Sequence, residues 1–337
     1  MDQPVCLTAR LPMVSIIVPA YNASATISET MASIFAQTRR DFEVIVIDDG
    51  STDRPALDTS LAPWRAGVRL LDQPNRGAGA ARNQGLLHAR GRYVAFLDAD
   101  DMWMPAFLET LAGYLDRHAD CDLVWSDGWV CGETALAGRR FLETTGMGDD
   151  PSFEALLSER CTVLTSAVVG RRQIVDAVGR FDARLRRGQD FDLWIRLAHK
   201  GARMAVLREP LMVRRVFSTG LSGDSVAELR RGIAVLLGIA RKLPLDVQEL
   251  GVLYRRLALL ADRLEIELAK QALGRRDVTT ARSHLQQASA IRSWKVRMAR
   301  VGLRVAPHLV QRAYDYVRPM GGAMPFEAGS QELEARS

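Results

Sequence analysis

Three carboxylates within four residues, Asp98-Ala99-Asp100-Asp101, follow directly on the apolar run Val94-Ala-Phe-Leu97. That run, entered through the turn signal Arg90-Gly91-Arg92, reads as a buried parallel strand. Open α/β sheets bind ligands beyond the carboxyl ends of such strands. If strand geometry continues, Asp98 and Asp100 point the same way, because side chains alternate with a period of two. Two carboxylates that close repel each other, and a cation relieves the repulsion. Mg²⁺ or Mn²⁺ with a phosphate-bearing ligand suits the pattern, since such ions take few protein carboxylates and keep positions for phosphate oxygens. The plainer alternative is that residues 98–101 cap a helix around 105–115.

The elements that must position this cluster alternate strand and helix. Val14-Ser-Ile-Ile-Val18 is a buried strand stopped by Pro19. Ile27, Met31, Ile34 and Phe35 recur at helical spacing. Glu43-Val-Ile-Val-Ile47 is a second strand, running into the turn sequence Asp48-Asp49-Gly50-Ser51. A third strand at 68–71, a helix at 78–89 and a fourth strand at 93–97 complete the series. Parallel strands with right-handed crossovers follow, with the polar clusters gathered at one binding edge. Residues 120–220 are less regular. Short strands at 122–125, 166–169, 204–207 and 211–216, with helices at 152–158, 173–178 and 191–200, predict a mixed or antiparallel continuation of the same domain. From Ser225 no strand signal persists. Leu253, Leu257, Leu260, Leu264 and Leu268 trace one face of a long helix, and 278–290 gives another after a break at Gly274. The expected organisation is an arm (1–12), an α/β domain (13–222), a helical region (225–318) and a Gly-rich polar tail (319–337) expected to be disordered.

With 337 residues and 47% apolar content, the chain can bury one large core and a smaller one. The net charge of +5 is uneven, with basic residues dominating 270–318. There Arg292, Lys295, Arg297, Arg300 and Arg304 interleave with Trp294, Val296, Met298, Val301 and Leu303. An amphipathic basic helix of this kind can lie on an anionic membrane, or pack inward with a solvated arginine face. Cys6, Cys121, Cys131 and Cys161 have neither metal-ligand spacing nor the density of a disulfide framework, so a cytoplasmic location is expected. No run reaches the roughly 18–20 apolar residues of a membrane span, and the first twenty lack a signal-peptide pattern. The five histidines share no metal spacing. No nucleic-acid partner is expected.

Six motifs in order then resemble glycosyltransferase family 2. They are Val14-Ser-Ile-Ile-Val-Pro-Ala-Tyr-Asn22, Ile47-Asp-Asp-Gly-Ser-Thr-Asp53, Asn75-Arg-Gly-Ala-Gly-Ala-Ala-Arg-Asn-Gln-Gly85, Phe96-Leu-Asp-Ala-Asp-Asp101, Val178-Gly-Arg-Phe-Asp182 and Gln189-Asp-Phe-Asp-Leu-Trp-Ile-Arg196. The resemblance covers residues 13–222. It implies a GT-A fold, here with a C-terminal α-helical extension, a nucleotide-sugar donor (UDP- or dTDP-linked), Mg²⁺ or Mn²⁺, and inversion at the anomeric carbon.

Each motif also has its own physical reading. Pro19, Ala20, Tyr21 and Asn22 close the first strand and can line a base pocket, or form a plain strand-to-helix loop. Asp48 and Asp49 cannot be ranked by geometry; the resemblance assigns Asp49 to a uracil or thymine imide N–H. The small residues before Arg82 allow a helix N-terminus to approach anionic groups closely. Arg82 then contacts donor phosphate or ribose, or faces solvent. The resemblance makes Asp98-Ala99-Asp100 the Asp-x-Asp signature, with Asp100 on the metal and Asp98 on metal, ribose or both. Asp101 is expected to begin the following helix. Trp103 could stack on an acceptor sugar.

Gln189 and Asp190 stand just before the helix at 191–200, where the resemblance implies an acidic pair whose second member is the general base. Asp190 keeps that role and Gln189 departs from the pattern. Asp192, four residues before Arg196, is the competing acid and reads as half of a surface ion pair. In the run Arg214-Arg-Val-Phe-Ser-Thr-Gly-Leu-Ser222, Phe217 stands where many relatives have a metal-binding histidine. No Gln-x-x-Arg-Trp element follows Asp190, so one sugar per encounter is expected, onto a surface polysaccharide, a lipid-linked oligosaccharide or another glycan. The rival reading is a nucleotide-sugar-binding protein without catalysis.

Overall fold

The computed structural model describes residues 11–146, 148–217, 225–288 and 294–317. Most of the expected arm, the tail from 319, and residues 218–222 lie outside them. The chain divides into two compact units, Met1–Gly220 and Leu221–Ser337.

The first unit holds an eight-stranded sheet. Its first half comprises β1 (Val14–Ala20), β2 (Phe42–Asp48), β3 (Val68–Asp72) and β4 (Tyr93–Phe96), all parallel in the order β3-β2-β1-β4. Every residue of β1 and β4 is buried, which explains their unbroken apolar character. Helices α1 (Ile27–Phe35), α2 (Arg54–Leu61) and α3 (Ala78–His88) form the crossovers. α1 buries Ile27, Met31 and Ile34, as the spacing predicts. α3 lies very close to the sheet: a β-carbon on Gly85 would sit 2.5 Å from Ile17.

Pro19 does not stop the first strand. It pairs in register with Ile47, and β1 continues to Ala20. The Ile17 carbonyl accepts from Leu97 N–H, and the Ala20 carbonyl accepts from Asp49 N–H. Pro19 therefore faces the side where β4 has already ended, and its missing N–H costs no ladder bond.

The second half of the sheet adds β5 (Met102–Trp103), β6 (Leu123–Gly132), β7 (Val168–Arg171) and β8 (Met204–Val216), in the order β4-β7-β6-β8-β5. β7 is antiparallel to both β4 and β6, while β6 and β8 run parallel. Two expectations fail here. β6 runs through Ser126-Asp127-Gly128, and the pieces expected at 204–207 and 211–216 are one strand. Both follow from an irregularity at Asp127, across which the partner of Ser126 is Leu207 and that of Asp127 is Pro210. The buried Asp127 carboxylate accepts from Gly128 N–H, Leu142 N–H and Arg140, so the kink is fully hydrogen-bonded.

Helices α4 (Phe107–Arg117), α5 (Phe141–Thr145), α6 (Phe153–Leu157), α7 (Arg172–Ala177) and α8 (Gln189–His199) complete this unit. α8 starts two residues earlier than expected because Gly188 takes a positive φ of 72° and reverses the chain just before it.

The second unit is helical: α9 (Ser225–Lys242), α10 (Val247–Gly274), α11 (Val278–Gln287), α12 (Trp294–Val305) and α13 (Pro307–Val317). Asp246 caps α10 by accepting from Gln248 and Glu249 N–H, while Glu249 accepts from Asp246 N–H. Its core joins Ile266, Ala269, Leu273, Ala281, Leu285, Val296, Ala299 and Leu303. Of the predicted leucine face, Leu253 and Leu260 are buried and Leu257, Leu264 and Leu268 only partly. Val296 and Leu303 point inward, so they are not part of a free apolar face on α12.

Candidate active site

The carboxylate cluster is held by a turn, not by continued strand. β4 ends at Phe96, and Asp101 N–H donates to the Asp98 carbonyl at 3.0 Å. The loop is gripped largely through its backbone. The Ala99 carbonyl accepts from Thr26 Oγ1 at 2.8 Å, and Thr30 Oγ1 lies 2.9 Å from the Ala99 carbonyl and 2.8 Å from that of Asp101. The Arg215 guanidinium donates to the Asp100 carbonyl and pairs with Glu29. Asp101 does not begin a helix. It is buried, accepts from Arg215 N–H at 3.0 Å, and leads into β5, whereas α4 starts only at Phe107.

Charge is crowded here. Burial, then the neighbouring charge of Asp98, pushes the Asp100 carboxyl above its usual range. Burial together with Asp98 and Asp100 pushes Asp101 up to about 7. Among the described residues no group of three or more His, Cys, Asp or Glu is arranged to hold an ion. Asp98 and Asp100 form a smaller set of two hard oxygen ligands in a site already strained by like charge. That set fits Mg²⁺ or Mn²⁺, whose remaining positions are filled by phosphate oxygens and water.

Arg82 does not face solvent. Its side chain is 3% exposed, pairs with Asp98, and lies 5.4 Å from the Phe181 ring centroid. Its Nε and Nη1 have no hydrogen-bond partner among the described residues. Asn83, next to it on α3, donates to the Phe181 carbonyl at 2.8 Å and accepts from Phe181 N–H at 3.0 Å, which seats the 178–182 motif against the helix.

The loops after β1 and β2 are tied together. Asn22, at a positive φ of 51°, donates its N–H to Ser51 Oγ, and its Oδ1 accepts from Thr52 N–H. Pro19 and Ala20 are buried strand residues, whereas the Tyr21 side chain is 50% exposed. The geometry also separates the aspartates that sequence could not rank. Asp48 holds its turn through Ser51 N–H and Arg54. Asp49 accepts from Gln73 Nε2, Arg76 N–H and Gly77 N–H at 2.7–2.8 Å, organising the loop that opens α3.

Gln189 and Asp190 lie on the first turn of α8, inside the helix. Asp190 Oδ1 accepts from Phe191 N–H at 2.8 Å, and Thr165 Oγ1 donates to its Oδ2 at 3.1 Å. Gln189 is 8% exposed, packs on Gly79, and leaves Oε1 without a partner among the described residues. Asp192 pairs with Arg196 at 2.7 Å as expected, but the pair is buried, with the aspartate fully covered. Arg196 also donates to the Val178 and Arg180 carbonyls, so the pair locks the 178–180 turn onto α8. Trp103 is not available to an acceptor. It is 3% exposed, stacks on Phe107 at 4.2 Å and donates from Nε1 to the Ser166 carbonyl.

Sequence reasoning missed Thr165, Ser166 and the clamping role of Arg215. Ser166 Oγ accepts from Asp98 N–H at 3.2 Å, and its hydroxyl near Asp101 favours the charged form of that carboxyl. A Thr-Ser pair ahead of an apolar strand carries no signal of its own. Only the antiparallel pairing of β7 with β4 brings it to the carboxylates.

A mixed sheet with its polar clusters, carboxylates, a buried arginine and an exposed tyrosine, gathered beyond its strand ends is the arrangement of an α/β ligand-binding domain. Comparisons make the class specific. The family model described as glycosyl transferase family 2 matches residues 15–177. The amylovoran biosynthesis glycosyltransferase AmsB of Erwinia amylovora is 31% identical over 227 residues, covering 63% of this chain and 73% of that protein. An uncharacterized glycosyltransferase of Rickettsia felis is 29% identical over 203 residues, where the match covers 60% of this chain and only 33% of that one. Among solved structures, S. aureus TarS 1-349 in complex with UDP-GlcNAc matches with a TM-score of 0.60 at 20% identity, over 91% of this chain and 92% of that one. The mannosyltransferase PcManGT of Pyrobaculum calidifontis, in complex with GDP-Man and Mn2+, matches with a TM-score of 0.58 at 18% identity, over 98% and 89%. The chain belongs to glycosyltransferase family 2, and its sheet with flanking helices is the GT-A fold. It is a glycosyltransferase.

Proposed function

We propose that this glycosyltransferase moves one sugar from a UDP- or dTDP-linked donor to an acceptor hydroxyl, with inversion. The observation that carries the reading is the convergence of Asp98, Arg82 and Asp190 at one sheet edge, where Asp98 and Asp190 are joined through the adjacent residues Thr165 and Ser166. Asp190 takes the proton of the acceptor hydroxyl. The freed oxygen bonds to the anomeric carbon as the bond to the diphosphate breaks on the opposite face. Tyr21 offers its ring to the base, and Asp49 has an acceptor position left for an imide N–H. Arg82, whose Nη2 pairs with the half-exposed Asp98, brings a fixed positive charge toward the phosphates. A divalent cation held by Asp98 and Asp100 would offset the charge gathering on the leaving diphosphate. The buried Gln189 Oε1 is left to accept from a sugar hydroxyl.

For the acceptor, the likeness to AmsB, a glycosyltransferase of amylovoran biosynthesis, supports a surface polysaccharide or a lipid-linked oligosaccharide. No helix among the described residues is long and apolar enough to cross a membrane. A peripheral contact on the cytoplasmic face is proposed instead, through the outer side of α12 and α13. There Met298, Val301, Val305, Leu309 and Tyr316 are each more than half exposed beside Arg297, Arg304 and Arg312.

The deciding experiment is release of nucleoside diphosphate from UDP-N-acetylglucosamine, UDP-glucose, UDP-galactose, dTDP-glucose and GDP-mannose with Mn²⁺. Turnover of a UDP- or dTDP-sugar is expected. Exclusive turnover of GDP-mannose would overturn the donor assignment, and binding without turnover of any would overturn catalysis.

A further inference from the structure

We infer that Thr165 is a positioning residue for the transfer step: its hydroxyl fixes the Asp190 carboxylate, and through Ser166 it sets that base at a constant distance from the Asp98–Asp101 loop. The inference rests on Asp190 being the base. Three observations carry it. First, both Asp190 oxygens are anchored, Oδ1 by Phe191 N–H and Oδ2 by Thr165 Oγ1. Rotation of the carboxylate breaks one of these bonds, so the oxygen turned to the acceptor has a fixed direction. Second, Thr165 is buried and begins a short 3₁₀ turn, Thr165–Ala167, whose next side chain, Ser166, accepts from Asp98 N–H at 3.2 Å. The base and the backbone of the acidic loop are therefore tied to adjacent residues of one turn. Third, that turn is itself fastened, because the Ser166 carbonyl accepts from the buried Trp103 indole at 2.6 Å.

In a single displacement the attacking oxygen and the leaving diphosphate lie on opposite sides of one carbon. The reaction depends on the separation of the groups that serve each, and a displacement of about 1 Å can cost roughly a hundredfold. Thr165–Ser166 bridges that separation with two short hydrogen-bonded side chains on either side of one peptide unit.

The test is a series at Thr165, read on hydrolysis of whichever UDP-, dTDP- or GDP-sugar the wild type cleaves fastest, with Mn²⁺ present and water as acceptor. Thr165→Val keeps the shape and removes the hydroxyl. It is expected to lower kcat about tenfold or more while the donor KM and the Mn²⁺ requirement stay within about twofold. Thr165→Ser restores most of the rate. In an Asp190→Asn background, Thr165→Val has no further effect, because the hydroxyl acts through the carboxylate. Thr165→Ala serves in the same roles if the valine variant does not fold.

Near wild-type kcat in the hydroxyl-free variant, with Asp190→Asn inactive, overturns the positioning role and leaves the base assignment standing. Equal damage from serine and valine, or a further loss on top of Asp190→Asn, overturns it too, since packing alone would then account for the effect. An active Asp190→Asn enzyme removes the base assignment and this inference with it.

Discussion

Arg82 and Asp98 form an ion pair of unequal exposure: the guanidinium side chain is 3% exposed and the carboxylate 39%. A cation covered this completely and satisfied on one side only is costly unless something completes its partners. Replacing it with Arg82→Lys keeps the charge and loses the second arm of the fork. Donor affinity is expected to fall by about tenfold or more, as measured by calorimetry with the donor and with the free nucleoside diphosphate. Equal binding by both proteins would remove Arg82 from the donor site.

The two aspartates on the first turn of α8 separate by experiment. Asp190→Asn should bind donor normally and transfer sugar about a hundredfold or more slowly. Asp192→Asn should leave a folded enzyme active but less stable. Removing one member of a buried pair typically costs about 3–5 kcal/mol, and urea unfolding reads the loss. A stable but inactive Asp192 variant would reverse the two roles.

Asp101 makes stability depend on pH. Its folded value, pushed up to about 7, lies above the roughly 3.9 of an unfolded aspartate. The folded state holds the proton more tightly, so this contribution is complete below pH about 4 and is lost as pH rises through about 7. Asp101→Asn removes that dependence. In chelator-containing buffer the variant should gain stability relative to wild type between pH 5 and pH 8, as followed by urea unfolding. A constant difference across this range would show that Asp101 does not titrate there.

Phe217 follows β8 directly and is 42% exposed. It supplies no lone pair, so Mn²⁺ is expected to bind weakly without nucleotide and much better with nucleoside diphosphate present. Phe217→His should tighten the nucleotide-free binding, measured by Mn²⁺ titration. Tight binding to the donor-free wild type would point to an unrecognised ligand.

For the outer side of α12 and α13, sedimentation with phosphatidylglycerol-rich vesicles at low salt should pull down the protein, and Val301→Asp with Val305→Asp should abolish it. Absence of binding by the wild type would rule out the membrane contact.

The first half of the sheet was legible because β1 and β4 are buried along their whole length and so unbroken in apolar character. Pro19 misled because tolerance of proline depends on where the neighbouring strand ends, which no local pattern carries. β6 and β8 were cut short for a related reason: Asp127 and Pro210 look like stop signals unless their mutual pairing is known. In the site, Asp98, Asp100 and Asp190 stand out as charged residues at element ends, and Arg82 as a lone charge in a run of small residues. Burial sorted them further, hiding Asp192 and Trp103 and withdrawing Arg82 from solvent. Thr165 and Ser166 have ordinary side chains, and their place next to the carboxylates comes entirely from long-range strand pairing.

Thr26, Thr30 and Arg215 grip the acidic loop mainly by its peptide carbonyls. Support of this kind is indifferent to which side chains the loop displays. The side chain at 100 can therefore be changed, by drift or by design, without dismantling the mount that carries it. Exchange of carboxylate for amide or imidazole at 100 then probes ion preference with the mount intact, whereas at 98 it also breaks the pair with Arg82.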